Sequence, residues 1–140
     1  MNIVFLDIDG VLNQNGSMDF PPALDTAKVG NLNLILENTN ANIVISSTWR
    51  FMFSQEEIEN ALTTAGFMFL DRIIDKTPVL NEGTRGSEIA MWMQDKDIQS
   101  FAILDDDDDF LPDQMPFLVK TDFDTGLTRE HVEKAIEILS

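Results

Sequence analysis

Ile3-Val4-Phe5-Leu6-Asp7-Ile8-Asp9-Gly10-Val11-Leu12 is the stretch from which the rest of the chain can be read. It opens on a short continuous apolar run, the pattern of a strand covered on both faces. Two carboxylates, Asp7 and Asp9, stand where that strand runs out, and Gly10 lets the backbone turn sharply after them. A carboxylate so placed can attack phosphorus and hold the phosphoryl group covalently. A second acid nearby can protonate the leaving oxygen and later deprotonate water. Asp7-Ile8-Asp9-Gly10 also reads as an ordinary turn ending a strand, so the wider pattern has to decide.

Outward from this stretch, short buried runs alternate with longer helical ones. Asn13 to Pro22 is polar and turn-rich, a loop. From Ala23 to Asn38 the apolar residues Val29, Leu32, Ile35 and Leu36 fall at helical spacing. Asn42-Ile43-Val44-Ile45-Ser46 is a second buried strand. Ser54-Gln55-Glu56-Glu57 is a capping box that opens a helix, and Gly66 suits its stop. Ile73 to Leu80 has room for a short strand. Arg85 to Gln94 reads as a helix with Ile89, Trp92 and Met93 on one face. Ser100 to Leu104 and Phe117 to Val119 are further strands. Thr128 caps a last helix through Leu139, with Val132, Ala135, Ile136 and Leu139 facing inward and His131 on the outer, surface side.

Strands alternating with helices predict an α/β fold: a three-layer, Rossmann-like parallel sheet with helices on both faces. Ligands bind such sheets beyond the carboxyl ends of the strands. Asp7 and Asp9, Ser46 to Arg50, and Asp105 to Asp109 each follow a strand, so three strands end in chemically useful groups.

The bulk composition bounds the function. The 140 residues suit one domain with one core, and no linker or repeat divides them. There are no cysteines, hence no disulfide framework and no thiolate metal site. The N-terminal stretch has no basic segment and meets an acid early, and no apolar run has membrane-spanning length; a cytoplasmic location is expected. The net charge is -16, with 25 acidic and nine basic residues, which argues against broad, sequence-independent nucleic-acid binding. A small basic pocket that grips one phosphate stays compatible with it.

Three further segments carry chemistry. In Ile45-Ser46-Ser47-Thr48-Trp49-Arg50, the hydroxyls of Ser46 and Ser47 and the backbone N–H groups after them can meet phosphate oxygens. Arg50 can add a bidentate contact. The plain alternative is that Ser54 and its neighbours simply start a helix and Trp49 is packing. Gly83-Thr84-Arg85-Gly86-Ser87-Glu88-Ile89 opens a helix with a basic residue, and both the helix end and Arg85 favour an anion. The alternative there is an exposed arginine paired with Glu82 or Glu88. Ile103-Leu104-Asp105-Asp106-Asp107-Asp108-Asp109 sets carboxylates directly after an apolar strand, where they repel one another unless water or a hard cation such as magnesium neutralises them. An EF-hand calcium loop is excluded: counting from Asp105, its glycine and glutamate positions hold Phe110 and Pro116.

Taken in order, these four pieces resemble the haloacid dehalogenase (HAD) superfamily of phosphohydrolases. Asp7-Ile8-Asp9 matches its first motif, Ser46 its second, Arg85 its third and Asp105-Asp106 its fourth. The resemblance implies Asp7 as nucleophile and Asp9 as general acid/base. It also implies a magnesium ion held by Asp7, the Asp9 backbone carbonyl and one of Asp105 and Asp106, with Asp106 preferred and Asp109 as a possible assistant. The third motif is most often lysine, so Arg85 departs from the pattern, and Arg50 is a second candidate for the same phosphate-neutralising task. More narrowly, Leu6 to Asn13, Ser46 to Arg50 and Arg85 to Ile89 look like a subgroup of small HAD domains associated with RNA repair and polynucleotide-end phosphatases.

Caps that set substrate choice in this superfamily are inserted between the motifs. About 36 residues separate Asp9 from Ser46, much of it helix, and the gap to Arg85 is similar, so no independent cap domain fits and the site should be open. The expected activity is magnesium-dependent phosphomonoester hydrolysis on a phosphorylated small molecule, a nucleotide or a nucleic-acid end. The alternative is a catalytically silent HAD-fold binding or regulatory module with an acidic surface. Phe51, Met52 and Phe53 are large apolar residues after the second motif, suited to lining the entrance, stacking on a base or a dimer contact.

Overall fold

The computed structural model describes residues 1–140. Five strands form one parallel sheet: β1 (Asn2–Leu6), β2 (Asn42–Ile45), β3 (Ile73–Lys76), β4 (Ser100–Asp105) and β5 (Leu118–Lys120), in the spatial order β3-β2-β1-β4-β5. The helices are α1 (Thr26–Glu37), α2 (Trp49–Met52), α3 (Gln55–Thr64), α4 (Arg85–Met93) and α5 (Arg129–Leu139). This is the expected Rossmann-like architecture, and no cap domain interrupts it. No helix is long and apolar enough to cross a membrane.

Period-two alternation splits β1 between two cores. Val4 and Leu6 point to one face, where α1, α3 and α5 add Leu32, Ile58, Leu62 and Val132 to a cluster of 26 buried residues. Ile3 and Phe5 point to the other, where α4 alone supplies Ile89 and Trp92 to a cluster of seven. The thinner face relies on its aromatics: the Phe5 ring meets Trp92 and Phe101 edge-on at centroid distances of 5.6 and 5.9 Å.

Local chemistry explains most of the element boundaries. α1 begins at Thr26, later than the apolar spacing suggests, because the Asp25 carboxylate caps it by accepting from Ala27 N and Lys28 N. Ser54 and Glu57 close the anticipated capping box on α3, and Gly66 follows the helix with φ +96°. α4 has a box of its own, Thr84 with Ser87. The short helix α2 was not anticipated, and β4 runs one residue further than the apolar run, through Asp105. His131 is half-buried rather than a surface residue. Its Nδ1 accepts from Thr128 N at 2.9 Å and completes the cap of α5, and burial lowers its pKa. Nδ1 can accept only in the neutral ring.

Candidate active site

The strand order reverses between β1 and β4, and at such a switch point the two outgoing loops part and leave a crevice. Leu6 pairs with Leu104 in the parallel register, so Asp7 and Asp105 leave the sheet side by side. Both are buried. One carboxylate oxygen from each of Asp7, Asp105 and Asp106 lies within 4.8 Å of the others. Arg85 reaches in from the start of α4: its Nη1 is 2.9 Å from Asp7 Oδ1 and 3.0 Å from Asp105 Oδ2. The third-motif arginine is thus neither exposed nor paired with Glu82 or Glu88.

Arg85 is held in place by its neighbours in sequence. Gly86 N donates to Asp109 O at 3.1 Å, and Gln114 Nε2 donates to Gly86 O at 2.9 Å. A Cβ on Gly86 would come within 2.7–2.9 Å of Gln114 Oε1, Phe110 Cα and Leu111 N. Glycine is what lets the first turn of α4 close on the loop after β4. Asp109 accepts from this turn through its backbone oxygen, and its Oδ2 lies 3.4 Å from Arg85 N. It therefore serves the helix start and stands outside the carboxylate cluster.

Asp9 sits on the opposite side. Its Oδ1 accepts from Asn13 Nδ2 at 2.9 Å and from Trp49 Nε1 at 3.0 Å, which leaves Oδ2 without a protein donor. Asn13 also accepts from Gly10 N at 2.8 Å and so locks the turn after β1. Gly10 has φ +81°, and a Cβ there would collide with the Asp106 carboxyl group. The tight turn and the approach of Asp106 both require glycine.

Ser46 follows β2, where Ser46 N donates to Leu6 O at 3.0 Å and fixes it next to Asp7. Its Oγ is buried and has no hydrogen-bond partner. A partnerless buried hydroxyl is costly, and a ligand oxygen would relieve it. Ser47 is also buried, and its Oγ accepts from Trp49 N at 3.1 Å. Arg50, expected to bind phosphate, has a different task. Its Nε donates to Thr77 O, Nη1 to Ser46 O and Ser47 O, and Nη2 to Pro78 O and to Glu88 Oε1, at 2.8–3.1 Å. Every nitrogen of the fork is engaged, and the residue is buried. It braces the loop after β2 against α4.

The electrostatics follow from this packing. Burial raises the pKa of Asp7, and Arg85 opposes the rise. Asp105 is pushed up to about 8, first by burial and then by the charge of Asp7, again against Arg85. Burial works against the charge on Arg85, but Asp7 and Asp105 outweigh it and hold its pKa above the ordinary arginine value. Burial lowers the pKa of Arg50, while Glu88 supports its charge. Two desolvated carboxylates with a third beside them and one guanidinium between them form a site that is short of positive charge. Asp7, Asp105 and Asp106 offer the all-oxygen donor set that a hard divalent cation prefers.

The parallel sheet, the acids at the β1/β4 switch point, the serine after β2 and the basic residue opening α4 define a domain of the haloacid dehalogenase type. Residues 3–132 match the family model described as HAD domain in Swiss Army Knife RNA repair proteins, and the chain belongs to that family. No curated protein and no solved structure matches the chain.

Sequence reasoning did not find the partners that hold these groups. Trp49 was weighed only as packing, although its indole N–H orients Asp9. Asn13 has no role of its own in the sequence, and Glu88 is read there only as a partner for Arg85, whereas it pairs with Arg50.

Proposed function

We propose that this chain is a magnesium-dependent phosphomonoester hydrolase working through an aspartyl-phosphate on Asp7, with nucleotide or polynucleotide-end phosphates as its substrate class. The observation that carries the reading is that Asp7, paired with Arg85, and Ser46, with its partnerless Oγ, stand just past the carboxyl ends of the neighbouring strands β1 and β2. A phosphate there meets a nucleophile, a cation and an unsatisfied hydroxyl together.

Asp7, Asp105 and Asp106 would hold the magnesium ion, to which the resemblance adds the Asp9 carbonyl. The ion supplies positive charge that offsets repulsion between the carboxylate and a phosphate dianion. Asp7 attacks phosphorus and forms a carboxylate–phosphorus bond as the ester P–O bond breaks. Asp9 gives its proton from the unengaged Oδ2 to the leaving oxygen. It then takes a proton from water, which hydrolyses the acyl phosphate and regenerates Asp7. Ser46 Oγ donates to a phosphoryl oxygen, and Arg85 neutralises the developing charge. Arg50 keeps the second-motif loop in shape without touching phosphate.

Phosphate release from an aryl phosphate, measured with magnesium, with EDTA and with Asp7→Asn, tests this. Magnesium-dependent release that vanishes in the variant is expected. Release that survives Asp7→Asn would remove Asp7 as the nucleophile. No release from the aryl ester or from a panel of nucleotides and 3′- or 5′-phosphorylated oligonucleotides would point to the silent binding module.

A further inference from the structure

Phe123 is a large aromatic residue, 64% exposed, that forms no aromatic pair in the fold. It is nonetheless held on a firmly built loop. Asp122 bridges to Gly126, and Gly126 N donates to Asp122 O at 2.7 Å. Leu127 N donates to Val11 O at 2.9 Å, and Thr121 Oγ1 donates to Gly10 O at 2.8 Å, so both ends are tied to the turn after β1. Asn15 Nδ2 reaches across to Asp124 O at 3.0 Å and joins this loop to the one after β1.

Between the two loops lies a cavity of about 370 Å³ lined by Asp9, Gln14, Asn15 and Phe123 among others. Its size falls within the range of small-ligand sites, about 300–1,000 Å³. It opens beside Asp9, and a general acid must lie within hydrogen-bond reach of the oxygen that leaves. The cavity is therefore where the leaving group of the proposed reaction would sit. Phe123 is the one large apolar side chain of its lining, and Asp9, Asn13, Gln14, Asn15 and Ser17 supply polar groups around it.

The basic residues limit how much more of a substrate can be held. Arg50 and Arg72 are used on backbone carbonyls, and Arg85 belongs to the carboxylate cluster. Lys28, Lys96 and Lys134 donate to the carbonyls of Asn13, Trp92 and Leu118, and Lys120 faces Asp108. The lysines on carbonyls keep their charge, but no lysine or arginine, Lys76 and Arg129 included, lines the cavity. Polynucleotide backbones are gripped by clustered cations, and the lining of this cavity has none.

We propose that the cavity between the two loops seats one nucleoside of the leaving group, its base stacked on Phe123, and that phosphates beyond that nucleoside are not gripped. A mononucleotide and the terminal nucleotide of an RNA present the same chemistry to this site. The proposal rests on the hydrolase reading for the side on which the leaving group lies.

The test is calorimetric titration of Asp7→Asn in magnesium, and of the wild-type chain with calcium in place of magnesium. The probes are a nucleoside monophosphate, ribose 5-phosphate, and end-phosphorylated oligonucleotides of increasing length. The base is expected to tighten binding about tenfold over ribose 5-phosphate. Phe123→Ala should abolish that gain, and Phe123→Trp should keep it. Affinity should not climb with oligonucleotide length, nor fall more steeply with salt than for the mononucleotide. No nucleotide binding in either arm, no gain from the base, a gain that survives Phe123→Ala, or affinity that climbs with length overturns the proposal. Acetyl phosphate turnover by the wild-type chain is read in parallel. Turnover without base-dependent binding sinks the nucleoside site and leaves the hydrolase. Base-dependent binding without turnover does the reverse.

Discussion

The indole Nε1 of Trp49 donates to Asp9 Oδ1 at 3.0 Å, so a residue at the start of α2 sets the direction of a carboxylate that leaves β1. Ser47 Oγ in turn accepts from Trp49 N, which binds the second motif to the first through one tryptophan. Trp49→Phe keeps the ring in its buried place and removes the donor. A hydrogen bond to a charged group contributes about 1.5–3 kcal/mol. If Asp9 acts as proposed, phosphate release should fall roughly tenfold or more in kcat, with a drop in Tm of several degrees that leaves the chain folded. Unchanged kcat would show that Asp9 is oriented without Trp49.

Arg50 and Glu88 make the second relationship of this kind, at 2.9 Å and both largely out of solvent. Glu88 Oε2 also accepts from Leu80 N at 2.9 Å, so the pair joins three segments. Arg50→Ala takes the counter-charge and the Oε1 donor from the buried Glu88 carboxylate, and a donor from each of four carbonyls. Breaking one side of such a pair costs about 3–5 kcal/mol. Denaturant unfolding should show a loss of this order for Arg50→Ala, and Arg50→Lys should restore only part of it, since an ammonium cannot reproduce the fork. A variant with normal stability and a raised KM would return Arg50 to the phosphate-binding role.

The acid cluster predicts an unusual pH dependence for the metal-free chain. The folded pKa of Asp105 is about 8, against an ordinary value of 3.8. Between those values the folded state holds a proton that the unfolded chain has lost, so stability falls as pH rises through the window. Asp7, also raised, acts in the same sense. Asp105→Asn removes the larger effect, so the variant should gain on the wild type in Tm as pH goes from about 5 to about 8. Magnesium should stabilise the wild type at the upper end and do far less for Asp105→Asn. Parallel Tm curves for the two proteins without metal would contradict the pKa assigned to Asp105.

Gly10→Ala tests the approach of Asp106 to the turn after β1. An alanine at φ +81° is strained by about 1–2 kcal/mol, and its Cβ would also displace the Asp106 carboxyl group. Tm should drop by several degrees, and magnesium should bind more weakly. A variant that loses stability but binds magnesium as the wild type does would remove Asp106 from the ligand set.

Much of this architecture could be read along the chain. Apolar runs of strand length, helical periodicity and the Ser54 capping box placed the elements within a few residues, because burial and capping act over a turn or a strand. Asp7, Asp9, Ser46 and the Asp105-Asp106 pair were visible because each follows an apolar strand, and parallel strands deliver their ends to one side. What each charged side chain does there was not visible in the same way. Arg50 and Arg85 look alike as basic residues beside a motif. One is consumed by Glu88, 38 positions away, and by four carbonyls; the other bridges Asp7 and Asp105, which adjoin only because β1 pairs with β4. The role of Trp49, whose partner Asp9 is 40 positions away, depends on the same long-range pairing. Hydrophobic pattern and capping are local and leave a trace in sequence, whereas a hydrogen bond or an ion pair belongs to whichever group the folded chain brings within about 3 Å.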